Sequence, residues 1–350
     1  CPKRCSACVR RRLDDMRALS SRLLCGAQVV VARPRISGSR SVSSSLGAGS
    51  ADDVKRHAES RCRILDGRVV ARTREDVLRG QILRHRALRP MSSPTLAVIL
   101  VGHNPASEIY VRNKQLACQR VGIAFQLVRK PDTISQDELI GEIHRLNNDP
   151  SVHGVIVQLP LPVGLDANEV YGEVSPLKDV DCFTPENTGK MCHGNPLFVP
   201  CAPKAVFSLL EEAQTPLIGT NTLVIGRSNL VGQPLSMLLG HRSATVATVH
   251  SKTPPKVVED LCRWASLIVS AAGVPHLVRG DMVRAGAVVI DVGINRLPEG
   301  TIVGDVHFEE VRRKASVLTP VPGGVGPLTV VSLLENTWLA FKSQILPSWR

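Results

Sequence analysis

From residue 222 onward the sequence keeps to one alternation that few architectures accept. Short apolar runs, TLVIG (222–226), ATVATVHS (244–251), LIVSAAG (267–273) and AVVIDVGINR (287–296), are separated by the amphipathic stretches PLSMLLGH (234–241) and KVVEDLCRWA (256–265). The runs are apolar on both faces and short, so they read as strands of a sheet covered on both sides, with the other stretches as crossover helices. A β-α-β-α-β series of this kind predicts a doubly wound parallel sheet. It opens with a helix, KAVFSLLEEA (204–213). The first half shows the same habit. EDVLRGQILRHRALRP (75–90) predicts a helix, TLAVILVG (95–102) a strand, and Ser107 the cap of a helix reaching about Arg120. AFQLVRK (124–130) follows as a strand, SQDELIGEIHRLNND (135–149) as a capped helix, and VHGVIVQ (152–158) as a strand stopped by LPLP. Residues 163–200 read as loop. A Gly-rich loop, TPVPGGVGP (319–327), leads into a last helix from residue 328.

The fold class is therefore α/β in two domains, which 350 residues can supply with proper cores. Aromatic residues make up only 3%, which suits Val, Ile and Leu layers better than an aromatic-rich binding module. No apolar run is long enough to span a bilayer, so no membrane partner is expected. The net charge of +12 suggests nucleic acid until it is located. Residues 1–50 hold ten Lys or Arg against two Asp, leaving the other 300 with a +4 excess that an anionic small molecule explains as well. A nucleic-acid surface would also interleave basic and aromatic residues on one face, whereas acids are mixed throughout, so no nucleic-acid partner is expected.

The basic stretch is Arg- and Ser-rich and poor in acids, the composition of a mitochondrial transit peptide. Residues 1–55 are expected to be a disordered presequence and the mature protein to work in the mitochondrial matrix, or in the cytoplasm if the segment is not a transit peptide. Ten cysteines without a disulfide-like rhythm fit a reducing compartment. Cys1, Cys5 and Cys8 have a spacing that could hold part of a zinc site, but no second cluster follows at finger-like distance, so no metal is expected.

Six segments carry candidate chemistry. In SEIYVRNKQ, Tyr110 and Lys114 stand at i and i+4, so a flat ring and an ammonium share one helix face. Gln158 ends the strand GVIVQ, the edge where open α/β sheets bind ligands; it could orient a lysine or merely cap the strand. Asp181 in KDVDCF could accept two donors from a guanidine-like edge, or form a turn. In TLVIGRSNLVGQP, Gly226 follows a strand and Gly232 precedes a helix, which permits a tight turn with helical N–H groups facing a phosphate. The next strand ends His250-Ser251-Lys252 with no acid to take a ribose 2′-hydroxyl, and Arg227 sits in the first turn. Both features favour NADP over NAD. The stretch PGGVG (322–326) suits a backbone lying against a ligand.

Together the segments ILDGR, VGHNPASEIYVRNK, GVIVQLPLP, KDVDCF, GRSNLVGQP, HSKT, DVGINR and TPVPGGVGPLT resemble the methylenetetrahydrofolate dehydrogenase/cyclohydrolase family, from about Ile64 to Phe341. The resemblance implies an N-terminal catalytic domain over 61–200 and a Rossmann-type NAD(P)-binding domain over 201–322. It also implies a C-terminal helix (328–345) returning to the first domain. The activity it implies is NADP-dependent oxidation of 5,10-methylenetetrahydrofolate to the methenyl form, followed by hydrolysis to 10-formyltetrahydrofolate, a role in one-carbon metabolism and purine biosynthesis. Lys114 is then the catalytic lysine, Gln158 its contact and Asp181 the holder of the pterin. Tyr110 stacks on the aminobenzoyl ring. Val157, Leu159 and Pro322, Gly323, Gly324, Val325 and Gly326 complete the folate site, and Gly226, Arg227, Ser228, Ser251 and Ile294 line the NADP site. The family further implies a polyglutamylated folate and a homodimer paired through the cofactor domain.

The sequence departs from the family pattern at Cys182, where KDVDG has Gly, at Ala202, where PCTP has Thr, and at His103, where VGDNPAS has Asp. If position 182 needs a positive φ, a cysteine there is strained by about 1 to 3 kcal/mol and Asp181 beside it is misaimed. That leaves a second reading, a catalytically impaired member acting as a folate-binding or scaffold protein.

Overall fold

The computed structural model of the chain describes residues 62–345. The presequence expected over 1–55, with Cys1, Cys5 and Cys8, lies outside them. The first lobe runs through Arg63–Ile64 (β1), Gly67–Leu88 (α1), Thr95–Val101 (β2), Pro105–Val121 (α2) and Ala124–Lys130 (β3). It continues with Gln136–Asn148 (α3), Gly154–Val157 (β4), Ala167–Gly172 (α4) and Pro185–Cys192 (α5). Cys201–Glu212 (α6), Asn221–Ile225 (β5), Gly232–His241 (α7), Thr245–Val249 (β6), Pro255–Trp264 (α8), Leu267–Ser270 (β7) and Val288–Asp291 (β8) form most of the second lobe. The hairpin Asn295–Arg296 (β9) and Ile302–Val303 (β10), then Phe308–Arg312 (α9) and Val317–Leu318 (β11), complete it before the long helix Val325–Ile345 (α10).

Two parallel sheets result, in strand orders β3-β2-β4 and β1-β11-β8-β7-β5-β6. The apolar runs of the inner strands are unbroken because those strands feed a core on both faces. Leu96, Val98 and Leu100 of β2 pack with Ile82 of α1 and Val111 of α2. Ala97, Ile99 and Val101, between them, pack with Leu139, Ile143 and Leu146 of α3. In the second sheet Val224 faces one core and Leu223 and Ile225 the other. Each such fully buried aliphatic side chain contributes roughly 1.5–3 kcal/mol. The strand order changes direction at β5, which pairs with β6 on one side and β7 on the other. The crevice above that point is where ligands bind in such sheets.

Local chemistry moves several boundaries. α1 starts at Gly67 rather than near Glu75, because Asp66 caps it by accepting from the Arg68 N–H at 2.8 Å. The cap of α2 is Asn104, not Ser107: its Oδ1 accepts from Ala106 and Ser107 N–H at 3.0 and 3.2 Å. Ser107 is buried instead, and its hydroxyl donates to the Leu159 carbonyl at 3.2 Å. Residues 163–200 contain α4 and α5, capped by Asp166 and Thr184. The expected strand 287–296 stops at Asp291, and Asn295 belongs to the hairpin. α10 starts at Val325, three residues before the expected 328, and so absorbs Val325, Gly326 and Pro327.

The lobes also exchange ends. β1 pairs in parallel with β11, Arg63 opposite Val317 and Ile64 opposite Leu318, so residues expected to open the first domain extend the sheet of the second. In return α10 packs on α1, α2 and α6. Its Leu333, Leu334, Trp338 and Phe341 lie in a core of the first lobe.

Candidate active site

Between the lobes lies a cleft of about 1080 Å³. Tyr110, Lys114, Gln158 and Asp181 line it from the first lobe, Leu230, Val231 and Ile294 from the second, and Gly326, Pro327 and Val330 from the start of α10. Three chain crossings bring the first group together. Helix α2 presents Tyr110 and Lys114 one turn apart, the end of β4 supplies Gln158, and the loop before α5 supplies Asp181.

The Lys114 ammonium donates to Gln158 Oε1 at 2.9 Å. Gln158 cannot turn its amide over without loss, because its Nε2 donates to the Leu159 carbonyl at 2.7 Å and its backbone N–H to the Ile99 carbonyl at 2.8 Å. The lysine therefore meets an oxygen fixed by the sheet. Burial pulls the Lys114 pKa down, with Asp181 opposing the shift. Burial likewise pushes the Asp181 carboxyl up, against the stabilising Cys201 thiol and Lys114 ammonium. An amine and an acid displaced toward each other in pKa exchange a proton more readily than the free groups do.

Asp181 is held by Cys201, whose thiol and backbone N–H both reach its carboxylate; the thiol also lies 3.7 Å from the Val180 carbonyl. Burial and the neighbouring carboxylate drive the Cys201 thiol well above its usual range, so it stays protonated as a donor. Cys182 does adopt the left-handed conformation, with φ of 61°, and is buried. Asp181 nevertheless faces the cleft. The preceding Asp179 fixes the loop independently, accepting from Phe183 N–H, Thr184 N–H and hydroxyl, and Asn187 Nδ2 at 2.8–2.9 Å.

On the second lobe, Gly226 ends β5 with φ of 115°. A Cβ there would lie 2.2 Å from the Ala271 carbonyl oxygen, and one on Gly232 2.1 Å from that of Gly226. Strand, turn and helix thus approach too closely for any side chain, and the N-terminus of α7 stays open at the switch point. Arg227, Ser228, Ser251 and Lys252 stand exposed on the same carboxyl edge, Ile225 pairing with Val249 beside them. No acid accompanies them after β6. These residues fit a dinucleotide bearing an extra phosphate. Behind the crevice, Asp305 is fully buried and gathers the Ser270 hydroxyl, the N–H groups of Ala272, Gly273 and Val274, and Asn295 Nδ2, at 2.6–3.2 Å. Among the described residues no cluster of three or more His, Cys, Asp or Glu could hold a metal ion.

Residues 65–181 match the family model for the tetrahydrofolate dehydrogenase/cyclohydrolase catalytic domain, and residues 200–345 that for its NAD(P)-binding domain. The chain belongs to this family. It is 47% identical over 274 residues to the bifunctional protein FolD of Moorella thermoacetica, spanning 78% of this chain and 96% of that one. With the FolD of Campylobacter concisus it is 48% identical over 285 residues, 81% and 99% of the two chains. Among solved structures it resembles the bifunctional FolD of Campylobacter jejuni, with a TM-score of 0.79 and 43% identity over 81% of this chain and all of that one. The Trypanosoma brucei FolD, solved with NADP and an inhibitor, gives a TM-score of 0.79 and 38% identity over 81% and 99%.

Of the residues expected in the folate site, Tyr110, Lys114, Gln158, Asp181 and Gly326 meet in the cleft with Ile294 from the cofactor side. Val157 is buried within β4, where its carbonyl accepts from the Tyr171 hydroxyl, and Leu159 turns its carbonyl to Ser107 and Gln158. The expectation that all of 322–326 is loop against ligand needs correction. Val325 lies in the core as the first residue of α10, and Gly324 packs so tightly that a Cβ on Gly67 would sit 1.8 Å from its carbonyl oxygen. Gly323 lies under the Arg68 guanidinium, and Pro322 is exposed at the turn. Gly226, Arg227, Ser228 and Ser251 form the separate cofactor edge. Sequence reading missed Cys201, Arg68 and Arg72, all of which line the cleft. The i, i+4 spacing of the arginines was a usable signal once α1 is known to start at Gly67.

Proposed function

We propose that the chain is a bifunctional one-carbon folate enzyme. It oxidises 5,10-methylenetetrahydrofolate to 5,10-methenyltetrahydrofolate with NADP and hydrolyses the product to 10-formyltetrahydrofolate. The observation that carries this reading is Lys114, fixed on Gln158 and faced by Asp181, in a cleft closed from the other side by the NAD(P)-binding lobe.

When bound, the nicotinamide supplies the hydride acceptor. The chain's own residues do the rest. Tyr110, exposed at the cleft wall, offers a flat face to the substrate's aromatic ring, and Asp181 takes the donor edge of the pterin. Lys114 stands where the one-carbon bridge must lie. With a lowered pKa it can take a proton from the water that adds to the methenyl carbon and return one to the nitrogen released as the ring opens. Juxtaposition alone contributes to the oxidation, which needs no acid or base at the reacting carbon. Asp181 keeps its place despite the strain at Cys182, which favours the active enzyme over a scaffold.

Arg68 and Arg72 at the cleft wall would suit the carboxylates of a polyglutamyl tail. The open edge of β6 would suit a homodimer through the cofactor lobe, and the N-terminal composition a mitochondrial matrix location. The decisive experiment is Lys114→Met, which keeps the stem and removes the donors. Methenyl hydrolysis should fall at least ~10²-fold, the scale of a lost acid–base group, while part of the dehydrogenase rate survives. Near-normal hydrolysis by a folded, NADP-binding variant would overturn the assignment.

A further inference from the structure

Asn336 lies in the middle of α10, 1% exposed, where an asparagine gives the helix nothing. Its amide is fully used. Nδ2 donates to the Val180 and Val199 carbonyls, both at 2.8 Å, and Oδ1 accepts from the Lys204 ammonium at 2.9 Å. The orientation follows from the partners, since two carbonyls can only accept and an ammonium can only donate. Nδ2 also lies 4.0 Å from the Cys201 sulfur.

The two carbonyls flank the catalytic acid. Val180 is the residue before Asp181, and Val199 stands two before Cys201, whose thiol and N–H hold the Asp181 carboxylate. One amide thus sets the spacing between the strand of chain that carries Asp181 and the strand that grips it. Lys204 pins the amide from α6 and also pairs with Glu335 at 2.9 Å, itself bound to Arg74 of α1 at 2.8 and 3.0 Å. Asn336 is itself absent from the cleft lining and borders it only through Cys201.

We infer that Asn336 is a positioning residue for Asp181, through which the returning C-terminal helix fixes the folate-binding acid. The inference rests on the function proposed above and adds a residue remote from the reacting atoms. Asn336→Ala removes both donors, and Asn336→Asp keeps the shape but turns an acceptor on at least one carbonyl. In either variant the KM for 5,10-methylenetetrahydrofolate should rise about tenfold or more, the scale of a lost hydrogen-bonded contact. The Kd for NADP should stay within about twofold, because the cofactor edge shares no partner with this network. Lys204→Met, at a partly exposed position, should raise the same KM by a smaller factor by freeing the amide to turn.

A merely structural role makes a different forecast: a lower folded fraction and Vmax with KM unchanged. A double-mutant cycle separates the two further. In an Asp181→Asn background, Asn336→Ala should add little to KM if it acts through Asp181, whereas full additivity would overturn the inference. If Asn336→Ala yields no folded protein, an unchanged KM in Lys204→Met overturns it. Failure of the wild-type chain to turn over the folate would sink the functional reading instead, so the two are told apart.

Discussion

Asp181 in the first lobe and Asp305 in the second are both carboxylates carried on loops, Asp305 fully buried and Asp181 partly so, yet their surroundings differ in kind. Asp305 is met by five donors from two segments, so its oxygens are spoken for and the Ser270–Val274 and Asn295 walls of the cofactor crevice hang from it. Asp181 is helped only by Cys201 and Lys114, and its carboxyl is raised in pKa because burial outweighs that help. A carboxylate saturated by the protein organises structure. One left short of donors keeps capacity for a ligand and for a proton.

The largest effect should come from Asp305→Ala, which strands five donors, the Ser270 hydroxyl and Asn295 amide buried and the three N–H groups partly so. At about 1–3 kcal/mol for each left unpaired, with water relieving some, unfolding in denaturant should show a loss of at least ~3 kcal/mol. A loss below ~1 kcal/mol would break the contrast. Asp181→Asn should behave the opposite way. The folate kcat/KM should drop about 10²-fold, or ~2.7 kcal/mol of transition-state stabilisation, with global stability changed by less than ~1 kcal/mol because a costly buried charge is removed. Comparable stability losses in the two variants would erase the distinction.

Asp291 sharpens it. Buried beside Asp305, with three backbone N–H groups donating to it, it is pushed up to about 7, first by burial and then by its neighbour's charge. Between roughly pH 4 and 7 the folded protein holds this proton while the unfolded chain has released it, so wild-type stability falls as pH rises through that window. In Asp291→Asn that fall should be missing, a difference on the order of 3 kcal/mol between the ends of the window. Parallel pH profiles of unfolding free energy would show that the second-lobe pair shares no proton. The smallest effect is expected from Cys182→Gly. Relief of the φ of 61° is offset by lost burial and a freer unfolded chain, so stability should move by less than ~1 kcal/mol and folate turnover should not change. A large gain in turnover would mean that the cysteine does misaim Asp181.

The parallel sheets were legible because both faces of their inner strands are apolar, and Lys114 and Gln158 because each lies in or beside a single element. What escaped reading depends on partners far along the chain. The two-residue strand β1 has no periodicity to detect, and its mate β11 lies more than 250 positions away. Asn336 looks like a poor helix former until Val180, Val199 and Lys204 surround it. The PGGVG stretch misled because glycines required for packing against Gly67 look the same as glycines that admit a ligand.

The exchange of ends between the lobes has a consequence for biosynthesis. α10 leaves the ribosome after every other described element, yet the catalytic loop of the first lobe is anchored by its Asn336, and its Trp338 and Phe341 complete a core of that lobe. The earlier-made half cannot mature while the later half is still being translated. It must wait, half-built, with the face meant for α10 exposed, and close only when contacts of very long sequence separation become available. Chaperone demand and sensitivity to stalled translation should therefore fall on the folate half of the molecule, although that half is synthesised first.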